Sequence, residues 1–516
     1  MRARRLSGLL SAAGALATVV VMTAGTAGAA PAEGSVHQVT SGDPYANCTI
    51  GAESGTNFPG TVIEPSVSVN PLGHDQFIGL FQQDRWSDGG ARGIGEVYSN
   101  DGGRHVQEAA MPFSSCAPGG LNYERASDAW VSFGPDGTAY ADGLNFDDQG
   151  FRNGVGAAVS HDGGRTWQHV TELIADTQAE FGDDKNAVTA DPVRPGTAYA
   201  VWDRLDSGPN GNTFTGPGML SVTRDFGRTW SPARIMVPTA QNEQTIGNLV
   251  VVDRRTGILY DVYTDIVFTD ATGNTVVSST YKVERSTDSG RTWSAPSTVA
   301  TDSSVADVDP NTGAGLRTGA GLASFAIDPD TGTLYVAYEG TDFTNGKYNQ
   351  AQLVHSTNGG RTWSAPVRVD GAPQAEAFTP TVTVDALGTV AVTYYDLRDL
   401  PPGDTTTLPT TTWLTTASGP NSKFGGERQI SGVFDLLRAA NAGGFFLGDY
   451  EGLDGHGAAV QPLFVGTTGT SGPPSSAGFS GLVPVRGWSA AASAASVASV
   501  ATGHTSAVTH AGRLRR

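Results

Sequence analysis

Basic residues are scarce in this chain. Its 516 residues include 32 Lys and Arg against 51 Asp and Glu, a formal net charge of −19. Such a surface repels phosphate backbones, so nucleic acid is excluded as a partner. Cysteine is nearly absent, and neither Cys48 nor Cys116 stands in a CxxC motif or beside an HxxxH pattern, which argues against a zinc site. No twelve-residue calcium loop is written either, so no cofactor is expected, although the many loop acids are compatible with a structural calcium. No apolar run beyond the N-terminus is long enough to cross a bilayer, so no membrane span is expected. No 3.6-residue apolar pattern is sustained, which excludes helical solenoids. Charged residues make up 16% of the chain while glycines number 68, a balance that suits many short strands joined by tight turns.

What is present begins with a targeting segment. Arg2, Arg4 and Arg5 precede a mostly apolar stretch over 9–22, and Ala27-Gly28-Ala29 forms a small-residue cleavage site. Residues 1–29 therefore read as a signal peptide and the protein as secreted, by ordinary export or through Arg4-Arg5 as a twin-arginine signal. In an oxidising compartment Cys48 and Cys116 are expected to pair as a disulfide, two free thiols being the other reading.

One phrase then recurs. "SHDGGRTW" at 160–167 returns as "TRDFGRTW" at 223–230, "STDSGRTW" at 286–293 and "STNGGRTW" at 356–363. Worn copies stand at 99–106 ("SNDGGRHV") and 418–425 ("SGPNSKFG"). The six starts lie 61, 63, 63, 70 and 62 residues apart, the mark of a repeat architecture. Between these phrases lie β-rich pairs of runs split by a turn, such as "ASFAIDPDTGTLYVAYEG" at 323–340, a hairpin signal. Each unit thus offers four antiparallel strands, one propeller blade per repeat, in an all-β fold. Glycine supplies the positive φ angles of the third-to-fourth-strand turn, and the Asp carboxylate accepts from its own turn. The Trp is expected to fold down between neighbouring blades, so the phrase is a structural staple. Staples count six blades; hairpins count seven, with "FLGDYEGLDGHGAAVQPLFVGT" at 446–467 as the last. Seven is favoured, with 36–40 supplying the outer strand that locks the ring. The expected layout is 1–29 signal peptide, 30–63 an N-terminal segment closing the ring, 64–470 the propeller, and 471–516 a linker-like, low-complexity tail.

In a four-stranded blade the 1–2 and 3–4 turns share one face, while 2–3 loops and blade connectors share the other. The second face is chemically loaded, with Asp84-Arg85, Asp128, Asp183-Asp184-Lys185, Glu243, Arg317, Arg398 and Asp449-Tyr450-Glu451. Ion pairs tying blades together would explain any one of them; their convergence on one mouth points to a ligand site.

The S-x-D-x-G-x-T-W phrase, repeated in an exported all-β chain, resembles the bacterial-neuraminidase-repeat (Asp-box) sialidase superfamily over roughly 64–467. The resemblance implies an exo-acting hydrolase of terminal acidic sugars, in which three arginines hold the sugar carboxylate, a Tyr–Glu pair is the nucleophile and an Asp is the acid/base. Bidentate guanidinium forks suit a carboxylate, and a neutral Tyr avoids setting an anionic nucleophile beside it. Carried onto this chain, Asp128, Glu243 and Tyr450 would be catalytic and Arg85, Arg317 and Arg398 would bind substrate, with Arg125 and Arg204 as alternative members of the trio. The family's aromatic-Arg-Ile-Pro motif is absent, and Arg85 stands instead in "QQDRWSDGG". Two other readings stay open: a non-catalytic propeller that binds a glycan or a protein, and a glycosidase using two carboxylates; on any of them a monomer is expected.

Overall fold

The computed structural model describes residues 36–51, 54–73, 75–273 and 275–485. The expected signal peptide and the tail from 486 onward lie outside the described residues. The first unit is a meander of Val62–Val69, Phe77–Arg85, Ala91–Ser99 and Gln107–Ala110, each strand antiparallel to the next. Five more follow, with innermost strands Arg125–Phe133, Phe181–Ala190, Glu243–Val252, Ala323–Ile327 and Ala377–Val384. The last sheet runs Gly452–His456, Ala459–Thr467, Ser476–Ser480, and its outermost strand is His37–Gln38 from the other end of the chain. Among the described residues the strand pairings give seven four-stranded antiparallel meanders, some of them joined edge to edge into larger sheets. Each innermost strand packs beside that of the next sheet, and Gly452–His456 returns to Val62–Val69, so the ring is closed. The protein is a β-propeller.

The inner strands are buried at nearly every position, because both faces of a blade are covered by its neighbours. Accordingly the core is not one body but a series of seams. Ile78, Ile94, Val131 and Ala141 pack between the first two blades, and Val188, Ala200, Trp202 and Val155 between the second and third. The staples stitch these seams. In the second blade Ser160 Oγ accepts from Gly164 N at 3.0 Å, and Asp162 accepts from both Thr166 N (2.9 Å) and Thr166 Oγ1 (2.7 Å). The same three bonds recur around Asp225 and Asp288, and Asn358 takes the Asp place in the fifth blade. Trp167, Trp230, Trp293 and Trp363 each drop into the seam between their own blade and the preceding one.

The propeller extends past the expected boundary at 470. Ser476–Ser480 is the third strand of the seventh sheet, and Val483–Pro484 pairs with Ala459 and Val460. Its small residues, "SAGFS", carry little β signal beside the preceding "SGPPS", so the strand reads as linker when taken alone. Cys48 and Cys116 form a disulfide, with Cα atoms 5.6 Å apart.

Trp167 fills a seam between two blades, so Trp167→Ala should lower the unfolding free energy by about 3–5 kcal/mol, measurable by chemical denaturation. Asp162→Asn should cost less than Asp162→Ala, since Asn358 already makes the equivalent turn.

Candidate functional site

Five innermost strands carry a bulge at the same place. The register slips at Ile63/Ser66, Ser127/Trp130, Asp184/Ala187, Ile246/Leu249 and Phe378/Thr381. Inside each slip one residue takes a positive φ: Glu64 (50°), Asp128 (50°), Lys185 (44°), Gly247 (70°) and Thr379 (49°). Only Gly247 adopts this conformation without strain; in the others it costs on the order of 1–3 kcal/mol apiece. The bulges aim Glu64, Asp128 and Lys185 at the axis.

A second device delivers the partners. The connector strand Leu316–Arg317 pairs in parallel with Phe445–Phe446, which turns back on Ala440–Asn441. This small sheet bridges the connectors that follow the fourth and sixth blades, and it sets Arg317 and Asp449 beside the bulges. Lys185 Nζ lies 2.7 Å from Asp449 Oδ2, 3.3 Å from Glu64 Oε1 and 3.5 Å from Asp128 Oδ1. Arg317 grips the same Asp449 with Nε at 3.1 Å and a terminal nitrogen at 2.8 Å, and stacks 4.1 Å over Phe446. Arg85 stands 5.2 Å from the centre of the same ring, donating to Gln82 Oε1 at 2.7 Å, while Gln82 donates to Glu64.

Burial sets the protonation of this group. It pushes the Glu64 and Asp128 carboxyls above the usual range, against the pull of Lys185. Burial acts on Asp449 in the same sense, but Lys185 and Arg317 together hold its carboxyl well below that range. The Lys185 ammonium, despite burial, is held well above its ordinary value by Asp128, Asp449 and Glu64. Desolvation lowers the Arg85 guanidinium. Each proton kept by Glu64 or Asp128 leaves the three cations less neutralised, which favours an anion nearby.

These groups form the floor of a cleft of about 590 Å³ on the face opposite the staples, within the roughly 300–1,000 Å³ of small-molecule sites. Arg85, Asp128, Lys185 and Arg317 line it, with Phe146, Phe151, Phe181 and Arg152 as walls. Asp183 lines it as well. Its Oδ1 accepts from Trp202 Nε1 at 3.0 Å, its Oδ2 has no partner, and burial lifts the carboxyl to about 7.

Of the residues expected at the site, Asp128, Arg85 and Arg317 line this cleft. The other three arginines do not, because each is already paired with an acid elsewhere, on its own blade or the preceding one. Arg125 is buried against Asp88 and Asp148 and stacked on Trp86; Arg204 forks onto Asp176 over Phe181; Arg398 pairs with Glu427 over Trp413. Glu243 sits on the fourth blade, accepting from Ala240 N, beside Asp265, which Lys282 neutralises. Tyr450 packs 5.2 Å from Trp130, with its hydroxyl enclosed and without a hydrogen-bond partner, and it lines the far side of the channel rather than the cleft. Burial, with Glu64 and Asp128 nearby, pushes that phenol well above its ordinary value, the reverse of an activated nucleophile. Asp449 serves Arg317 and Lys185, and Glu451 accepts from the Tyr395 hydroxyl. Glu64, Lys185, Arg152 and Asp183 complete the site. A signal for the first two was present, since each stands immediately before the alternating run of its hairpin ("E-PSVSV", "DK-NAVTA"). Among the described residues no group of three His, Cys, Asp or Glu is arranged to hold a metal ion.

The sequence matches no protein-family model and no curated protein. Solved structures of similar shape include an α-L-arabinanase of Penicillium chrysogenum complexed with arabinobiose, at 14% identity and TM-score 0.43, covering 74% of this chain and 97% of that one. A Hadza microbial sialidase is 13% identical, with TM-score 0.45 and coverage of 80% and 73%. An endosialidase of phage phi92 is 10% identical, with TM-score 0.46 and coverage of 94% and 72%. At these identities the likeness concerns the fold.

Lys185 is the common partner of three buried carboxyls, so Lys185→Met should cost about 3–5 kcal/mol near pH 8. Asp449, whose folded pKa is depressed, contributes stability above the usual carboxylate range and loses it as pH falls. Glu64 and Asp128, whose folded values are raised, burden the fold most at high pH and cease to as they protonate. The deficit of the variant against the parent should therefore shrink as the pH falls toward 4, which paired thermal melts would show.

Proposed function

We propose that this protein is an exported glycoside hydrolase that takes a terminal acidic sugar into the cleft. One observation carries the reading. The Arg85 guanidinium is only 4% exposed and lines the cleft, and among the described residues no carboxylate forms an ion pair with it. Its Nε has no partner at all. A buried, unpaired guanidinium is costly, and a ligand carboxylate seated on it offsets that cost while giving the bidentate geometry that arginine favours. The Phe146, Phe151 and Phe181 rings offer apolar faces to a sugar ring.

The chemistry follows from two cleft carboxyls. Asp128, whose carboxyl burial raises above the usual range, gives a proton to the departing glycosidic oxygen; Asp183, poised near neutrality, takes a proton from the attacking water. This division replaces the tyrosine nucleophile that the resemblance implies, because the Tyr450 hydroxyl has no acceptor and points away. Asp183 must be ionised to act as base, so the rate should fall as the pH drops below about 7. A second reading, recognition without turnover, is favoured by Asp449, which already occupies Arg317 as a sugar carboxylate would.

Fluorogenic sialosides and uronides test this directly. Turnover is expected to fall about 10²–10⁴-fold in Asp128→Asn, to lose its limb near pH 7 in Asp183→Asn, and to survive in Tyr450→Phe. Loss of turnover in Tyr450→Phe would restore the tyrosine route. Saturable binding that depends on Arg85, with no product from any substrate, would leave the binding reading standing.

A further inference from the structure

The axis holds a second space. On the staple side a channel of about 690 Å³ is lined by Val67, Val131, Val250, Phe325, Val382 and Leu453 of the innermost strands. Asp449 and Tyr450 line its inner end, so it meets the cleft back to back at that segment. The mouth is framed by the 1–2 turns of the blades, among them Pro71, Pro192 and Ala386. Each of those is followed by a large apolar side chain held in water: Leu72 at 67% exposure, Val193 at 50% and Leu387 at 52%. Small hydroxyl residues alternate with these side chains, among them Ser68, Ser132, Ser324 and Thr381, so the lining is mixed, but an apolar rim of this kind is unusual for a surface left to solvent. At the depth of the channel Ser66 Oγ and the Tyr450 hydroxyl are both enclosed and both lack a hydrogen-bond partner. Buried hydroxyls are rarely left so.

The chain leaves the described residues at this mouth. Val485 N donates to Ala458 O at 3.0 Å, and the adjoining Gly457 is one of the residues that line the channel. Residues 486–488 span at most about 10 Å when extended, enough to bring residue 489 to the opening. From there the sequence over 489–502, "SAAASAASVASVAT", contains only Ser, Ala, Val and Thr, with no charge, no Pro and no Gly. No side chain in it is larger than valine. A run of that kind is narrow enough to enter between seven strands, apolar enough to cover their valines, and supplies hydroxyls and backbone groups for Ser66 and Tyr450.

We propose that residues 489–502 of the same chain enter this channel and fill it from the staple face. The site is separate from the cleft and does not rest on the glycosidase reading. The occupant is intramolecular, so occupancy does not depend on protein concentration.

The full-length chain carrying Val251→Cys in the channel wall and Ala495→Cys in the segment tests this, since its two native cysteines are already joined. Mild oxidation should give a disulfide within one chain, at least tenfold faster than in a control with exposed Ala295→Cys in place of Val251→Cys. A chain ending at residue 485 should gain a site for an apolar fluorescent dye, 8-anilinonaphthalene-1-sulfonate, that a 489–502 peptide displaces and that full-length protein lacks. Cross-linking no faster than the control, or only between two chains, would overturn the proposal, as would equal dye binding by the full-length and shortened proteins. If the cysteine variant fails to fold, the dye comparison alone decides.

Discussion

One buried ammonium organises the axis. Lys185 comes from the third blade, Glu64 from the first, Asp128 from the second, and Asp449 from the connector into the seventh. A single cation thus ties four parts of the ring that are otherwise held only by seams between neighbours. The strained bulges persist because this group over-determines them: relaxing Lys185 out of its positive φ would strand three carboxyls away from water. The cleft inherits its rigidity from the same contacts, since Asp128 and Lys185 are floor and fastening at once.

That economy bears on what the site does. Arg317 is internally satisfied by Asp449, whereas among the described residues no acid forms an ion pair with Arg85. The two guanidiniums share the Phe446 ring but differ in what already holds them. An anion entering the cleft meets one receptive arginine, one arginine that must exchange Asp449 for it, and Lys185 shared among three acids. Under the function proposed above, a ligand carboxylate would compete with the fold's own, and affinity would be set by the difference between them rather than by the number of cations present.

Much of the architecture was legible from the residues. The Ser-x-Asp-x-Gly-x-Thr-Trp phrase encodes a turn whose bonds are local, so its period and its fourth-strand Trp transfer directly into blades and seams. The face assignment followed from strand alternation alone. The site was less legible, for two physical reasons. Whether an arginine is free depends on what faces it across a blade: Arg125, Arg204 and Arg398 look like Arg85 in sequence but meet Asp148, Asp176 and Glu427 in space. The bulges are equally hidden, since they break strand register without glycine except at Gly247, and only the backbone reveals that Glu64 and Lys185 turn inward. Ser476–Ser480 escaped for a third reason, because its strand character comes from its neighbours rather than from its own side chains.

The clasp at the chain's two ends has a consequence of its own. His37–Gln38 lies against Ser480 and Phe479, and Val39 N donates to Gly478 O at 2.8 Å. The outer edge of the last blade therefore cannot be covered until the final strand has been synthesised and the first has found it. Until then the growing polypeptide is an open arc with unsatisfied edges at both ends, and partial rings have no native stopping point. Completion is an all-or-none event reserved for a chain whose last blade has been made, and the first strand serves as its latch.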